Sequence, residues 1–348
     1  MMRNNEIIEE YRALLPQYEQ IEALALKKIR ACVQERHFFI MDVAHRIKSE
    51  DSLRGKLERY RDRFSTVLDF TDVLGLRVIC YFNEDIDPVA EAMAKLFRVL
   101  EIRDKRVGNN IKEFGYASLH YICALKEEDG NADLCRFRFE IQIRTVLQHA
   151  WAEIEHDLGY KSEFTLSSPI RRNFSMMAGL LEIADNQFAD LRRKATEYTE
   201  LIHASIREDR ADALPLDHVS LNEYIRNSAF AVRFFAELAE SLHIEIEITD
   251  CAACLEHLQW LSIGTLGEFK ALLLRNQSQA CRYLQEQAEK FGLDIYTSNA
   301  VLDAFTDAEL IASGEPRARL ESYYALGKSD PHKIKARVAR ILERRAAQ

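Results

Sequence analysis

Apolar and polar residues alternate along Phe139-Glu140-Ile141-Gln142-Ile143-Arg144, the period of a strand buried on one face. Glu140, Gln142 and Arg144 then share one face of a sheet, and Phe139, Ile141 and Ile143 the other. A different pattern, Leu76-Arg77-Val78-Ile79-Cys80-Tyr81-Phe82, is a short apolar run rich in β-formers and predicts a buried strand. Residues 99–104 and 115–125 read as extended, and 136–144 as a strand. Between these, helical spacing covers 4–33, 36–49, 51–63, 88–98, 146–160 and a long stretch from Pro169 to about 207. Pro16 permits a break or kink in the first, and Asp51-Ser52 is a plausible cap for the third. Strands embedded among helices predict an α/β or α+β layer, a small sheet covered by helices.

The segment 209–220, which contains Pro215, reads as a linker between a domain at 1–208 and a second one at 221–348. The second has helical composition almost throughout, with Ile244-Glu245-Ile246-Glu247-Ile248 as a single alternating exception. No repeat or low-complexity segment interrupts either part.

Composition narrows the class. The 348 residues are 47% hydrophobic and 30% charged, as in a soluble globular protein. No apolar run approaches the ~20 residues that cross a bilayer. Seven scattered cysteines suit a reducing compartment, and the expected location is the cytoplasm. Cys251-x-x-Cys254 lacks a second pair at zinc spacing and is read as helix core. A net charge of −9 argues against indiscriminate nucleic-acid binding. The tail departs from that balance: seven Lys or Arg lie between Lys328 and Gln348 against Asp330 and Glu343. A basic amphipathic helix there fits RNA or an acidic partner, or simply a solvated closing helix.

Candidate chemistry gathers in four short segments. Arg46, Lys48, Ser52 and Lys56 put cations and a hydroxyl around a presumed bend between helices, suited to triphosphate oxygens. Asp72 stands just before the buried strand carrying Arg77, the position of a metal-binding carboxylate or equally of a turn aspartate. In Phe114-Gly115-Tyr116-Ala117-Ser118-Leu119-His120, alternation places Tyr116, Ser118 and His120 on one face. An aromatic ring beside two polar groups suits base stacking, or plain packing at a helix interface. The face of Glu140, Gln142 and Arg144 suits a metal ion and a polyphosphate, or is a solvated strand face. His156-Asp157 finds no further ligands for a phosphohydrolase metal site. Neither a P-loop nor a dinucleotide glycine motif is present, so any phosphates must be held by side chains and metal.

In this order, Arg-x-Lys…Ser…Lys, Asp-x-x-Gly-x-Arg-Val, Gly-Tyr-x-Ser-x-His and Glu-x-Gln-x-Arg-Thr resemble the synthetase domain of the RelA/SpoT alarmone family, over about 20–165. The closest look is to its small single-domain synthetases, and the stretch Ala150 to Lys161 also resembles the helix after that family's catalytic strand. The resemblance implies an α+β, nucleotidyltransferase-like mixed sheet flanked by helices, followed here by a mostly helical C-terminal domain. It implies transfer of pyrophosphate from ATP to the 3′-hydroxyl of GDP or GTP, a GTP pyrophosphokinase reaction needing Mg2+. By the same resemblance Arg46, Lys48, Ser52 and Lys56 grip the ATP phosphates. Asp72 and Glu140 hold magnesium, and Glu140 draws the proton from the attacking hydroxyl. Tyr116 stacks on the acceptor guanine, His120 approaches phosphate, Ser118 and Lys112 complete the acceptor side, and Arg77, Gln142 and Arg144 order the site.

Two departures fall on the acceptor side: Lys112-Glu113-Phe114 replaces the family's Lys-Pro-Asn or Lys-Pro-Ser, and Ala117 stands where arginine is frequent. Relatives with this variant resemble toxins that pyrophosphorylate the 3′ end of tRNA, so tRNA and adenosine nucleotides remain alternative acceptors. A catalytically silent nucleotide-binding regulator is the non-enzymatic alternative, against which the two acids count. No hydrolase-type domain precedes the motifs, which implies a chain unable to degrade its product. A homo-oligomer is compatible with the family; no membrane partner is expected.

Overall fold

The computed structural model describes residues 2–60, 63–106, 118–129, 132–161, 168–326 and 330–347, with backbone only for 2–3, 129, 156–161 and 168–171. The chain divides into two compact units, Met1–Arg193 and Lys194–Gln348.

The first unit runs α1 (Met2–Glu35), β1 (Ile40–Ile47), α2 (Glu50–Arg59), β2 (Leu74–Cys80), α3 (Ile86–Leu96), β3 (Arg98–Asp104), β4 (Leu119–Ala124), β5 (Phe139–Thr145), α4 (Val146–Lys161) and the start of α5 (Ser168–Arg207). Among the described residues its strands form one mixed sheet in the order β1-β2-β5-β4-β3. β2 and β5 are parallel and the other neighbours antiparallel. The expected α+β class, a mixed sheet flanked by helices, is the observed one.

Alternation sorts the faces. Leu74, Leu76, Val78 and Cys80 of β2, Phe139, Ile141 and Ile143 of β5, and Leu119, Tyr121 and Cys123 of β4 join one core with Ile21, Ala25 and Ile29 of α1 and Val89 and Met93 of α3. Fully burying each such side chain contributes about 1.5–3 kcal/mol. The opposite face carries the polar partners of the same strands. α1 continues through Pro16 to Glu35, so the proline does not end it.

One element differs in type. The helix expected over 36–49 is replaced by a turn, with His37 at φ 53°, and by β1. β1 is an edge strand in which only Val43 is buried. Ile40 and Ile47 are only partly buried against the core, Met41 is exposed, and Asp42, His45 and Arg46 are polar, a mixture that imitates the composition of a solvated helix. Arg46 and Lys48 therefore flank no helix–helix bend; they sit at the end of an edge strand.

The second unit contains α6 (His218–Asn227), α7 (Ala229–Leu242), β6 (Glu245–Glu247), α8 (Ala252–Trp260), α9 (Leu266–Phe291), β7 (Ile295–Thr297), α10 (Ser298–Ala312), α11 (Arg317–Ala325) and α12 (Pro331–Ala346). It is mostly helical as expected, and the alternating 244–248 segment supplies β6, which pairs in parallel with β7. The expected linker 209–220 is instead packed structure. Leu216 N–H donates to Gly264 O at 2.8 Å and Leu266 N–H to Leu214 O at 3.0 Å. Ala211, Leu216 and Ser220 are buried. Polar residues around Pro215 serve there as caps, with Asp217 capping α6, rather than as a solvated tether.

Candidate active site

The polar face of the sheet becomes a site through register. Across the strands Ala44, Arg77, Gln142, His120 and Arg103 are successive partners, and Arg46, Gly75 and Glu140 form the next row. Ala44, Arg46, Lys48, Asp72, Gly75, Arg77, Glu140 and Gln142 line one cavity of about 120 Å³. A polar cavity of that size takes phosphate groups and water. Gly75 lines it, and a Cβ there would make only an ordinary contact with the Arg46 carbonyl, at 3.9 Å.

Asp72 and Lys48 lie just beyond the paired ends of β2 and β1, where Ile47 faces Leu74. Lys48 Nζ donates to Asp72 Oδ2 at 2.6 Å, and its backbone N–H donates to Val73 O at 2.8 Å. Tyr11 of α1 donates to the Lys48 carbonyl at 2.7 Å, fixing the bend into α2. Ser49 caps α2, and its hydroxyl donates to Ser52 Oγ at 2.9 Å. One turn further, Lys56 Nζ reaches both oxygens of Asp72 at 2.8 Å. Lys56 also lies 5.6 and 5.9 Å from the centroids of Phe70 and Phe64, a cation–π setting. Burial pushes the Asp72 pKa up, but the hydrogen bonds and charges of Lys48 and Lys56 outweigh it and hold the carboxyl below its ordinary value.

Glu140 has its own set of donors. Gln142 Nε2 donates to Oε2 at 2.7 Å, and His120 Nδ1 stands 2.9 Å from Oε1. His120 Nε2 meets Ser118 Oγ at 2.6 Å. An ionised carboxylate only accepts, so the imidazole presents Nδ1–H to it. Burial raises the Glu140 pKa and the Asp72 charge adds to that. The hydrogen bond and charge of His120, with the Gln142 amide, prevail and keep it low. Both acids are thus ionised at neutral pH and close enough to feel one another.

Behind them, Arg144 donates to Gln142 Oε1 and so aims the side-chain amide's Nε2 at Glu140. Burial, then the Arg77 charge, lowers the Arg144 pKa to about 10. Arg77 pairs with Glu153 of α4 at 2.7 Å. The joint between β5 and α4 is itself buried. Thr145 Oγ1 donates to Asp185 of α5 at 2.6 Å and accepts from Gln148 N–H, while Gln148 Oε1 accepts from Thr145 N–H.

The structure therefore brings together Arg46, Lys48, Lys56, Asp72, Arg77, Glu140, Gln142, Arg144, His120 and Ser118, with Ser52 on the α2 turn beside them. Tyr116 and Lys112 lie outside the described residues. His120, expected near phosphate, is engaged with Glu140. Glu153 and Arg103 were missed; the Arg103 guanidinium pairs with Glu101 and senses the charges of Glu140 and Asp72. The alternation of 99–104 carried that signal for Arg103, whereas Glu153 shows none without the fold. Among the described residues no three His, Cys, Asp or Glu side chains gather at metal-ligand spacing. Two carboxylates on one cavity nonetheless match how magnesium is held, by one or two carboxylates completed by substrate phosphates and water.

Residues 45–165 match the region found in RelA / SpoT proteins. The GTP pyrophosphokinase YjbM of Bacillus subtilis (strain 168) is 29% identical over 194 residues, 53% of this chain and 90% of the relative. The GTP pyrophosphokinase YwaC of the same organism is 26% identical over 152 residues, 43% of this chain and 72% of the relative. Among solved structures, small alarmone synthetase 1 from Bacillus subtilis gives a TM-score of 0.46 at 29% identity, covering 53% of this chain and 97% of that one. A crystal structure of small alarmone synthetase 1 from Bacillus subtilis bound to its product pppGpp gives 0.46 at 26% identity, covering 54% and 99%.

Proposed function

The chain carries a RelA/SpoT-type domain, and on that premise we propose that it transfers pyrophosphate from ATP to the 3′-hydroxyl of GDP or GTP. The observation that carries the reading is the convergence of Asp72 and Glu140, each with its own donors, on one cavity walled by Arg46, Lys48 and Arg77. The named activities of YjbM and YwaC support it.

The acceptor oxygen attacks the β-phosphorus of ATP. The O3′–Pβ bond forms, the bond from Pβ to the α-phosphate oxygen breaks, AMP leaves, and the hydroxyl proton passes to Glu140. Asp72 and Glu140 would hold magnesium, which when bound would supply charge neutralisation to the phosphates. Lys48, Lys56, Arg46 and Ser52 bind and orient the triphosphate, and Arg77 adds positive charge beside it. Such transfer rests on positioning and on neutralising charge in the transition state, which is what this wall of cations offers. His120 and Gln142, the latter oriented by Arg144, fix the Glu140 carboxylate at the cavity wall. The low pKa of Glu140 keeps it deprotonated and ready to accept the proton at neutral pH.

The acceptor is tested by offering the protein ATP labelled at the β and γ phosphates, with Mg2+ and, in parallel, GMP, GDP, GTP, adenosine nucleotides and bulk tRNA. Label in GDP and GTP is the expected outcome. Label on tRNA alone transfers the same chemistry to a nucleic-acid acceptor and rejects the nucleotide assignment. No labelled acceptor rejects the enzymatic reading.

A further inference from the structure

No residue of α1 lines the cavity, yet one turn of that helix reaches both stretches of chain that bring the lysines and Asp72 to it. Glu10, Tyr11 and Arg12 are consecutive, so they fan over about 200° of the helix surface. Tyr11, buried, donates its hydroxyl to the Lys48 carbonyl at 2.7 Å, at the bend between β1 and α2. Arg12 forks onto Glu50 in the first turn of α2, Nε to Oε2 and Nη2 to Oε1, both at 2.9 Å. On the other flank Glu10 accepts from the Thr66 hydroxyl at 2.6 Å and from Val67 N–H at 2.8 Å, in the stretch that leads to Asp72.

These two stretches form the phosphate side of the site. β1 and β2 stop pairing at Ile47 and Leu74, so Lys48 and Asp72 project past the sheet. Within the second stretch, Thr66 and Asp69 form a capping box, and Phe70 stacks on Phe64 beneath the Lys56 ammonium. The ion pairs of Lys48 and Lys56 with Asp72 join the two stretches only while no phosphate competes for the ammonium groups. Once a triphosphate takes those groups, the bonds to α1 hold the stretches at the same spacing. Holding binding groups where the ligand needs them adds affinity, because less order has to be imposed on binding. Arg12 is half-exposed and adds least.

We propose that Glu10 and Tyr11, assisted by Arg12, are positioning residues for the donor, setting the spacing between the lysine-bearing stretch and Asp72 to fit one triphosphate. This rests on the ATP-dependent reading above. The test is calorimetric affinity of the full chain for ATP and Mg2+ without acceptor, beside KM for GDP. Tyr11→Phe and Glu10→Gln each weaken ATP binding roughly three- to tenfold, the worth of a hydrogen bond or two, and leave KM for GDP within about twofold. Glu10→Gln removes a negative charge, which by itself favours a polyanion, so weaker binding there reports geometry. Ile29→Val trims the same helix in the core at its other end; it lowers the melting temperature and leaves the Kd for ATP unchanged. If both Glu10→Gln and Tyr11→Phe bind ATP as the wild type does, the proposal is overturned. It is overturned equally if Ile29→Val weakens ATP binding as much as they do, since loosening of the helix then explains the loss. A wild-type chain that binds no ATP overturns the pyrophosphate-transfer reading, and the positioning role with it.

Discussion

Asp72 shows how one side chain can be legible in position and opaque in environment. Its place before a buried strand marks it in the sequence as a metal or turn residue, and alternation puts Glu140 on the polar face of the next strand. Nothing in the sequence indicates that Lys48 and Lys56, 24 and 16 residues away, both close on Asp72. That follows from β1 pairing with β2 and from the α2 turn folding back. The depressed pKa of Asp72 has a testable sign. The unfolded carboxyl titrates near its ordinary value of 3.8 and the folded one below it, so the stabilisation is present above that value and is lost as pH falls through the folded pKa. Asp72→Asn leaves two ammonium groups facing one amide and is expected to cost about 1–3 kcal/mol at neutral pH. Thermal melts against pH should show a gap between wild type and variant that is constant from pH 6 to 8 and closes below about 4. Behind Glu140, Gln142→Ala removes an amide that aims the base rather than the base itself. A fall in kcat of about tenfold with little change in KM for ATP is expected.

Among the elements, the alternation of β5 is legible because both of its faces are committed, one to core and one to site, although the expected strand 136–144 starts three residues before the observed Phe139–Thr145. β1 was misread because an edge strand buries too little for its period to show; only Val43 reports it. The turn at His37 lacks the glycine that would have announced it. Single-residue requirements are also invisible at this scale until helices dock, as with the Thr145–Asp185 bond that ties β5 and α4 to α5. Thr145→Val keeps the shape and removes the hydroxyl that donates to buried Asp185. A loss of about 1–3 kcal/mol in urea unfolding of the chain is expected, with Thr145→Ser retaining most of the stability.

For the molecule as a whole, the first unit accounts for every residue assigned to chemistry, and the second unit was legible only as helical. The segment around Pro215 was misplaced because capping residues and linker residues share the same composition. Its second unit does hold one strongly perturbed acid. Burial pushes Asp307 up to about 6, helped by the charge of Asp303 and opposed by the Tyr324 hydroxyl that donates to it. Between pH 4 and 6 the folded chain keeps a proton that the unfolded chain has released, so this residue makes stability fall as pH rises through that window. Asp307→Asn removes that slope while retaining an acceptor for Tyr324. A wild-type-minus-variant stability that drops from pH 4 to 6 and then levels off is the expected profile.

The central claim is that Glu140, set against Asp72 and fed by His120 and Gln142, takes the acceptor proton in a site that grips ATP through other residues. Measuring turnover and ATP affinity side by side for the wild type and Glu140→Gln tests it most directly. A fall in kcat of at least about a thousandfold, with the Kd for ATP within a few-fold of wild type, is the predicted result. Turnover retained within tenfold in a variant that folds and binds ATP normally would contradict it.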